Sequence, residues 1–156
     1  MTQVHDRNRD TAVSVALRRL AEGGAVTLAR APEGYDAFVV ADLTRALAAA
    51  GEKRAAALVF VARDSIRAQA FIDALGFVAP EIEALYLPSW DCQPYDRVSP
   101  NAAVSAERMT VLARLARTRG AIERPRVVVL SVNALTQRLP PPRSVSSARV
   151  KPSLPT

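Results

Sequence analysis

Chemistry has few places to sit in this chain. There is one histidine, His5, and one cysteine, Cys92. A Cys/His zinc site and an internal disulfide each lack a second member, and a Cys–His dyad would need a histidine that lies instead in the polar leader MTQVHDRNRD. Catalysis would therefore fall to Ser, Asp, Glu, Arg or Lys. The densest set of candidates is the loop Pro88–Pro100, which holds the only tryptophan, Trp90, one of three tyrosines, Tyr95, the only cysteine and the carboxylates Asp91 and Asp96. Long irregular loops carrying aromatics are disproportionately functional. Against that stands a structural reading, in which Trp90 lids the core and Asp96 or Asn101 caps the next helix; on the residues alone it carries more weight. Asp91 and Asp96 are not read as an acid–base pair, because five residues of loop fix no separation between them. Cys92 is read as an inert small hydrophobe.

A nucleotide-binding α/β protein would place a glycine-rich turn, backbone N–H groups and a lysine after its first strand. The corresponding stretch here, Ala29 to Asp36, reads ARAPEGYD. It has one glycine, no lysine and no Gly-Lys-Ser/Thr, and Glu33 and Asp36 put negative charge where a phosphate would have to sit. A connecting loop fits better than a phosphate cradle. The third oddity is Arg108. Projected at 100° per residue, the helix expected around it carries Glu107, Thr110, Arg114, Arg117 and Thr118 on one polar arc and Val104, Met109, Leu112, Leu115 and Ala116 on the other, with Arg108 among the second set. An arginine in an apolar stripe needs a snorkelling route to water or a carboxylate partner, and an ion pair with Asp91 or Asp96 is the expectation. Arg114, Arg117 and Arg119 read as a solvated face, too sparse and too poor in interleaved aromatics for a nucleic-acid stripe.

These groups are carried by 156 residues, the length of one domain with a real core. Of the net charge of +6, three units come from Arg143, Arg149 and Lys151 in a tail without acids, so the body is only mildly basic. Lysine occurs twice, Lys53 and Lys151, against nineteen arginines, a pattern of codon bias more than of phosphate binding. The longest apolar run, Ala55 to Ala62, has eight residues, short of the roughly 20 that span a bilayer. With no secretion signal in the polar leader, the chain reads as cytoplasmic.

Strand-like runs alternate with helix-like stretches, the mark of βαβ units and a parallel sheet, so the class is α/β. Helices are expected at Thr11–Glu22, stopped by Gly23-Gly24; at Asp36–Ala50, with Val39, Leu43, Ala46, Leu47 and Ala50 on the apolar face; from an Asp64 cap to Leu75, ended by Gly76; and at Ala102–Thr118. Strands are expected at Ala25–Ala29, Ala55–Ala62, Ile82–Leu87 and Val127–Val132, the last followed by a helical turn over Asn133–Arg138. Ala55–Ala62, apolar at every position, is expected in the middle of the sheet with both faces covered. Residues 1–10 read as a disordered leader, 11–139 as the domain, and 140–156, with five of the chain's 11 prolines, as a disordered tail.

The run LPSWDCQPYDRVSPNAAVSAERMTVLARL at 87–115, with VVVLSVNALTQRLPP at 127–141, resembles the amino-terminal module of the bacterial transcription-repair coupling factor, Mfd. In that family a strand ends in Pro-x-Trp-Asp/Glu…Pro-Tyr-Asp…Ser-Pro, a helix carries Ser…Arg-hydrophobic, and a strand leads into Val-Asn-x-Leu-x-Gln-Arg. Pro88, Trp90, Asp91, Pro94, Tyr95, Asp96, Ser99, Pro100, Arg108, Val132, Asn133, Leu135, Gln137 and Arg138 match. Weaker agreement extends the likeness from about residue 11 to 142. The module is in turn similar to the first domain of the excision-repair protein UvrB, a P-loop-NTPase-like fold, but with a degenerate nucleotide loop; it also lacks UvrB's tyrosine-rich DNA-clamping hairpin, where this chain has only the short loop with Tyr95.

The resemblance implies a non-catalytic part of a factor that acts in transcription-coupled nucleotide excision repair. That factor uses ATP and Mg to displace stalled RNA polymerase from DNA, and recruits UvrA. The family would continue past Pro142 into the UvrA-presenting, polymerase-binding and translocase domains, so no cofactor and no assured partner is implied for this chain by itself. Trp90, Asp91, Pro94, Tyr95, Asp96, Arg108, Asn133, Gln137 and Arg138 are its motif or interaction candidates, Arg108 being taken as structural. Two rivals remain: a stand-alone Rossmann-like domain that binds protein or nucleic acid through the Trp90–Pro100 loop, and a P-loop ATPase or helicase fragment, against which the missing Gly-Lys-Ser/Thr counts. A UvrB-like first domain lacking its later returning segment is expected to expose apolar surface and an unpaired strand edge.

Overall fold

A computed structural model describes residues 15–20, 22–49, 58–92, 99–117, 124–141 and 145. They form an α/β fold with three parallel strands, β1 (Leu58–Ala62), β2 (Glu83–Leu87) and β3 (Arg126–Ser131), in the order β1-β3-β2. Helices α1 (Tyr35–Ala49), α2 (Ser65–Val78) and α3 (Ala102–Arg117) flank the sheet, and a single turn, α4 (Val132–Leu135), follows β3. Among the described residues no helix is long and apolar enough to cross a membrane.

Strand alternation sorts the core into two halves. Phe60, Val127 and Val129 face α1 and α2, where they meet Ala37, Ala41, Phe71 and Leu75, with the Phe60 and Phe71 rings stacked at 3.6 Å between centroids. Val128, Leu130, Leu85 and Leu87 face the other way, against Val111, Leu112 and Leu115 of α3 and Ala134 of α4. The centre of the sheet is β3, buried from Val127 to Ser131. That corrects the expectation for Ala55–Ala62, whose described part is the edge strand β1. Val59 and Val61, opposite Val128 and Leu130 in register, are 55% and 40% exposed, while the α3 core side chains pack with those of β2 and β3. Among the described residues β1 pairs only with β3, and Val59 and Val61 on it are exposed.

Three further expectations need correction. Residues 25–29 are not a strand: 24–29 are irregular and exposed, Val26 and Leu28 included, since a short apolar run without a ladder partner has nothing to hold it extended. The buried face of α1 is Ala37, Ala41 and Thr44, one step round from the expected Val39, Leu43, Ala46 and Leu47, which are half-buried. Small side chains there let α1 lie close on α2, and the Thr44 hydroxyl donates to the Val40 carbonyl at 2.6 Å, so its burial leaves no polar atom unserved. Gly76 does not end α2. The helix runs two residues further and stops at Ala79, ahead of Pro80, whose ring excludes the helical conformation in the residue before it.

Other local signals hold. The Asp64 carboxylate accepts the Arg67 N–H at 2.8 Å as the N-cap of α2. Residues 15–20 are helical and end in a Schellman motif, with Gly24 N–H on the Arg19 carbonyl, Gly23 N–H on that of Leu20, and Gly23 at φ 75°. Asn101 caps α3 by accepting the Ala103 N–H at 2.9 Å. Ser131, expected inside the last strand, caps α4 through its hydroxyl, so the helical turn starts at Val132 and not at Asn133. The leader and most of the tail lie outside the described residues; of the latter, Val145 is buried.

Two measurements test this packing. Phe71→Ala should cost about 3–5 kcal/mol in urea unfolding, whereas Phe77→Ala, at a side chain 89% exposed, should stay within about 0.5 kcal/mol. The Asp64 carboxyl is held below its ordinary value by the Arg67 backbone N–H first and the Arg63 guanidinium second. A depressed native pKa contributes stability that is complete above the unfolded value and is lost as pH falls through the native one. Asp64→Asn, which keeps the cap but not the charge, should therefore flatten the fall of stability below about pH 4; an unchanged slope would show that the charge contributes nothing.

Candidate functional site

In open parallel sheets, ligand sites form beyond the carboxyl ends of the strands. At that end β2 runs into Pro88-Ser89-Trp90, and β3 into α4 and Gln137. Helical spacing turns Arg108 toward the sheet with Val111 and Leu115. The result is a guanidinium that is 1% exposed, the largest fully buried side chain among the described residues.

Its surroundings are specific. The Arg108 Nη1 donates to the carbonyl of buried Pro88 and, at 3.3 Å, to Gln137 Oε1. The same Gln137 oxygen accepts the Trp90 backbone N–H at 2.8 Å. The guanidinium carbon stands 4.4 Å from the centroid of the Trp90 ring, a cation–π stack. One amide oxygen thus ties the loop after β2 to the segment after β3, with Arg108 of α3 as the third corner. Burial lowers the Arg108 pKa from its ordinary value, yet a guanidinium keeps its proton inside proteins. Its Nε and Nη2 are buried without a hydrogen-bond partner.

The expected ion pair of Arg108 with Asp91 is not formed. Asp91 instead accepts the Asn101 N–H at 3.2 Å with both carboxylate oxygens, which closes the ends of the loop on each other. Among the described residues no carboxylate lies in salt-bridge range of Arg108. Asp96, with Pro94 and Tyr95, lies outside the described residues. Asn133 and Arg138 are exposed and stand outside the hydrogen-bonded set, and Cys92 is a free, half-buried thiol. Trp90 is half-buried on Arg108, which fits the packing role.

The loop before α1 is differently arranged. Asp36 caps its own helix start, accepting the Ala37 N–H at 3.1 Å with one oxygen and the Arg67 Nη2 at 2.6 Å with the other. The positive end of α1 is therefore already served by a carboxylate, where a phosphate would otherwise sit. Arg114, on the polar arc, is largely exposed and pairs with Glu83 at 3.0 Å. Among the described residues no three His, Cys, Asp or Glu side chains come close enough to hold a metal ion.

Two participants had no signal in composition or periodicity: the Pro88 carbonyl, and the bridging role of Gln137, whose partners lie 47 and 29 residues away in sequence. Gln137→Ala should strand the Trp90 N–H and one Arg108 contact, costing about 1–3 kcal/mol in urea unfolding and shifting the emission of the single tryptophan. An unmoved midpoint would make the bridge dispensable. Comparison of the chain with protein-family models, curated proteins and solved structures finds no match in any of the three.

Proposed function

We propose that this chain is a non-catalytic, cytoplasmic module of the transcription-repair coupling type, with the P-loop-NTPase-like fold of a UvrB first domain and a nucleotide loop that has lost its function. Within a complete factor it would serve transcription-coupled nucleotide excision repair, alongside domains that displace RNA polymerase from DNA with ATP and Mg and recruit UvrA. The observation that supports this reading is the convergence of motif residues. Pro88 and Trp90, Arg108, and Gln137 come from the two separate segments that carry the resemblance, and they meet in one hydrogen-bonded cluster. Residues kept together by shared contacts are what a family motif consists of physically. The Asp36–Arg67 pair at the start of α1 supports the second half, the absence of nucleotide work by this chain.

The test is a domain exchange. The whole chain, fused ahead of the remaining domains of a bacterial coupling factor in place of that factor's own amino-terminal module, should restore preferential repair of the transcribed strand after ultraviolet damage. A chimera that accumulates and displaces polymerase yet gives no such preference would sink the proposal. The chain by itself should give no saturable signal with a fluorescent ATP analogue; saturable binding would move the assignment to the P-loop ATPase alternative.

A further inference from the structure

We infer that the free edge of the Arg108 guanidinium, Nε with Nη2, is a binding fork for one carboxylate. Arginine presents its donors in a rigid plane, and the Nε–Nη2 side offers two parallel N–H bonds at the spacing of the two oxygens of a planar oxyanion. In this protein the other Nη nitrogen is the one in use, on Pro88 and Gln137, so the edge left over is the complete bidentate one. Both of its nitrogens are buried without a partner, and among the described residues no acid offsets the charge. An unserved pair of charged donors out of contact with water is costly, and that cost disappears when an anion takes both.

The surroundings select the anion. The two acceptors on the guanidinium, the Pro88 carbonyl and Gln137 Oε1, are taken by Nη1 and leave the fork to the ligand. A carboxylate, with one negative charge and two oxygens, needs nothing beyond the fork. A phosphate would bring further oxygens and a second charge for which the two N–H groups of the fork have no further donors. Trp90 stacks on the face of the guanidinium and is itself half-buried, so a carboxylate arriving at the edge changes the surroundings of its ring. As the only tryptophan, it reports on the event directly. This chemistry is independent of the repair assignment and stands or falls separately from it.

The experiment is a titration of the full chain at neutral pH and constant ionic strength, followed by tryptophan emission and by melting temperature, with acetate, N-acetylglutamate α-amide, phosphate and chloride as probes. Acetate and the blocked glutamate should each give a saturable change with a midpoint about tenfold or more below that of chloride, and should raise the melting temperature. A tighter acetate marks a small free acid as the natural occupant, and a tighter blocked glutamate marks the acidic side chain of a protein. Arg108→Lys, which keeps the charge and removes the fork, should lose the saturable change; if it does not fold, the ranking of probes on the natural chain decides alone. Equal responses to acetate and chloride would leave the fork to water and overturn the inference, as would a tighter phosphate. So would a response confined to Asp96→Asn, since the chain's own carboxylate would then fill the fork.

Discussion

A positive charge enclosed between helix and sheet is the constraint on which the carboxyl end of this fold depends. Taking a guanidinium out of water costs several kcal/mol even after the protein relaxes. Hydrogen bonds to charged groups return about 1.5–3 kcal/mol each, and a desolvated cation–π contact about 2 kcal/mol. Those returns require Pro88, Trp90 and Gln137 to stay where they are. The charge therefore adds little to net stability and much to geometry. It fixes the exit of β2, the segment after β3 and the middle of α3 relative to one another, three places that share no local sequence.

The two sheet faces are unequally dressed. Two helices cover the face of Phe60, Val127 and Val129, while α3 has the other almost to itself and lies over β2 and β3. Arg108 of α3 is bound to the Pro88 carbonyl beyond β2, a strand that α3 covers. On β1, Val59 and Val61 stay in contact with solvent and the strand edge has no partner among the described residues. An apolar, uncharged edge strand of this kind, LVFVA, is the feature that proteins usually blunt or cover.

How much of this could be read in advance divides along a physical line. Asp64, Gly23-Gly24 and Asn101 act within a few residues of themselves, through caps and a left-handed turn, and the sequence names them directly. Arg108 could be picked out because helical spacing alone shows a charge in an apolar stripe. What surrounds it could not. Asp91 satisfied every requirement of a partner in sequence, yet its carboxylate closes its own loop instead, and the Pro88 carbonyl and Gln137 belong to no periodic pattern. The misplacement of Ala55–Ala62 has the same root: an unbroken apolar run says that a strand could be covered on both faces, while whether it is covered depends on where a distant helix comes to rest. The buried face of α1, Ala37, Ala41 and Thr44, is set by how closely α1 approaches its neighbours, which the hydrophobic spacing of Val39, Leu43 and Leu47 does not encode.

The chemical character of the cluster bears on what this end of the sheet can do. A guanidinium, a primary amide, an indole ring and a main-chain carbonyl are its members, and none of them gives up or takes a proton near neutral pH. General acid–base work needs a group whose pKa lies near the working pH and within hydrogen-bond reach of the reacting atom. Of the two described carboxylates next to cluster members in sequence, Asp91 is tied to a backbone N–H at the foot of the loop and Glu107 is exposed. A charge with two idle, coplanar donors does not move protons; it recognises shape and sign. The inferred carboxylate fork would draw on the same arrangement: Pro88 and Gln137 hold the Nη1 side of Arg108, and that hold would orient the Nε–Nη2 edge before a ligand arrives.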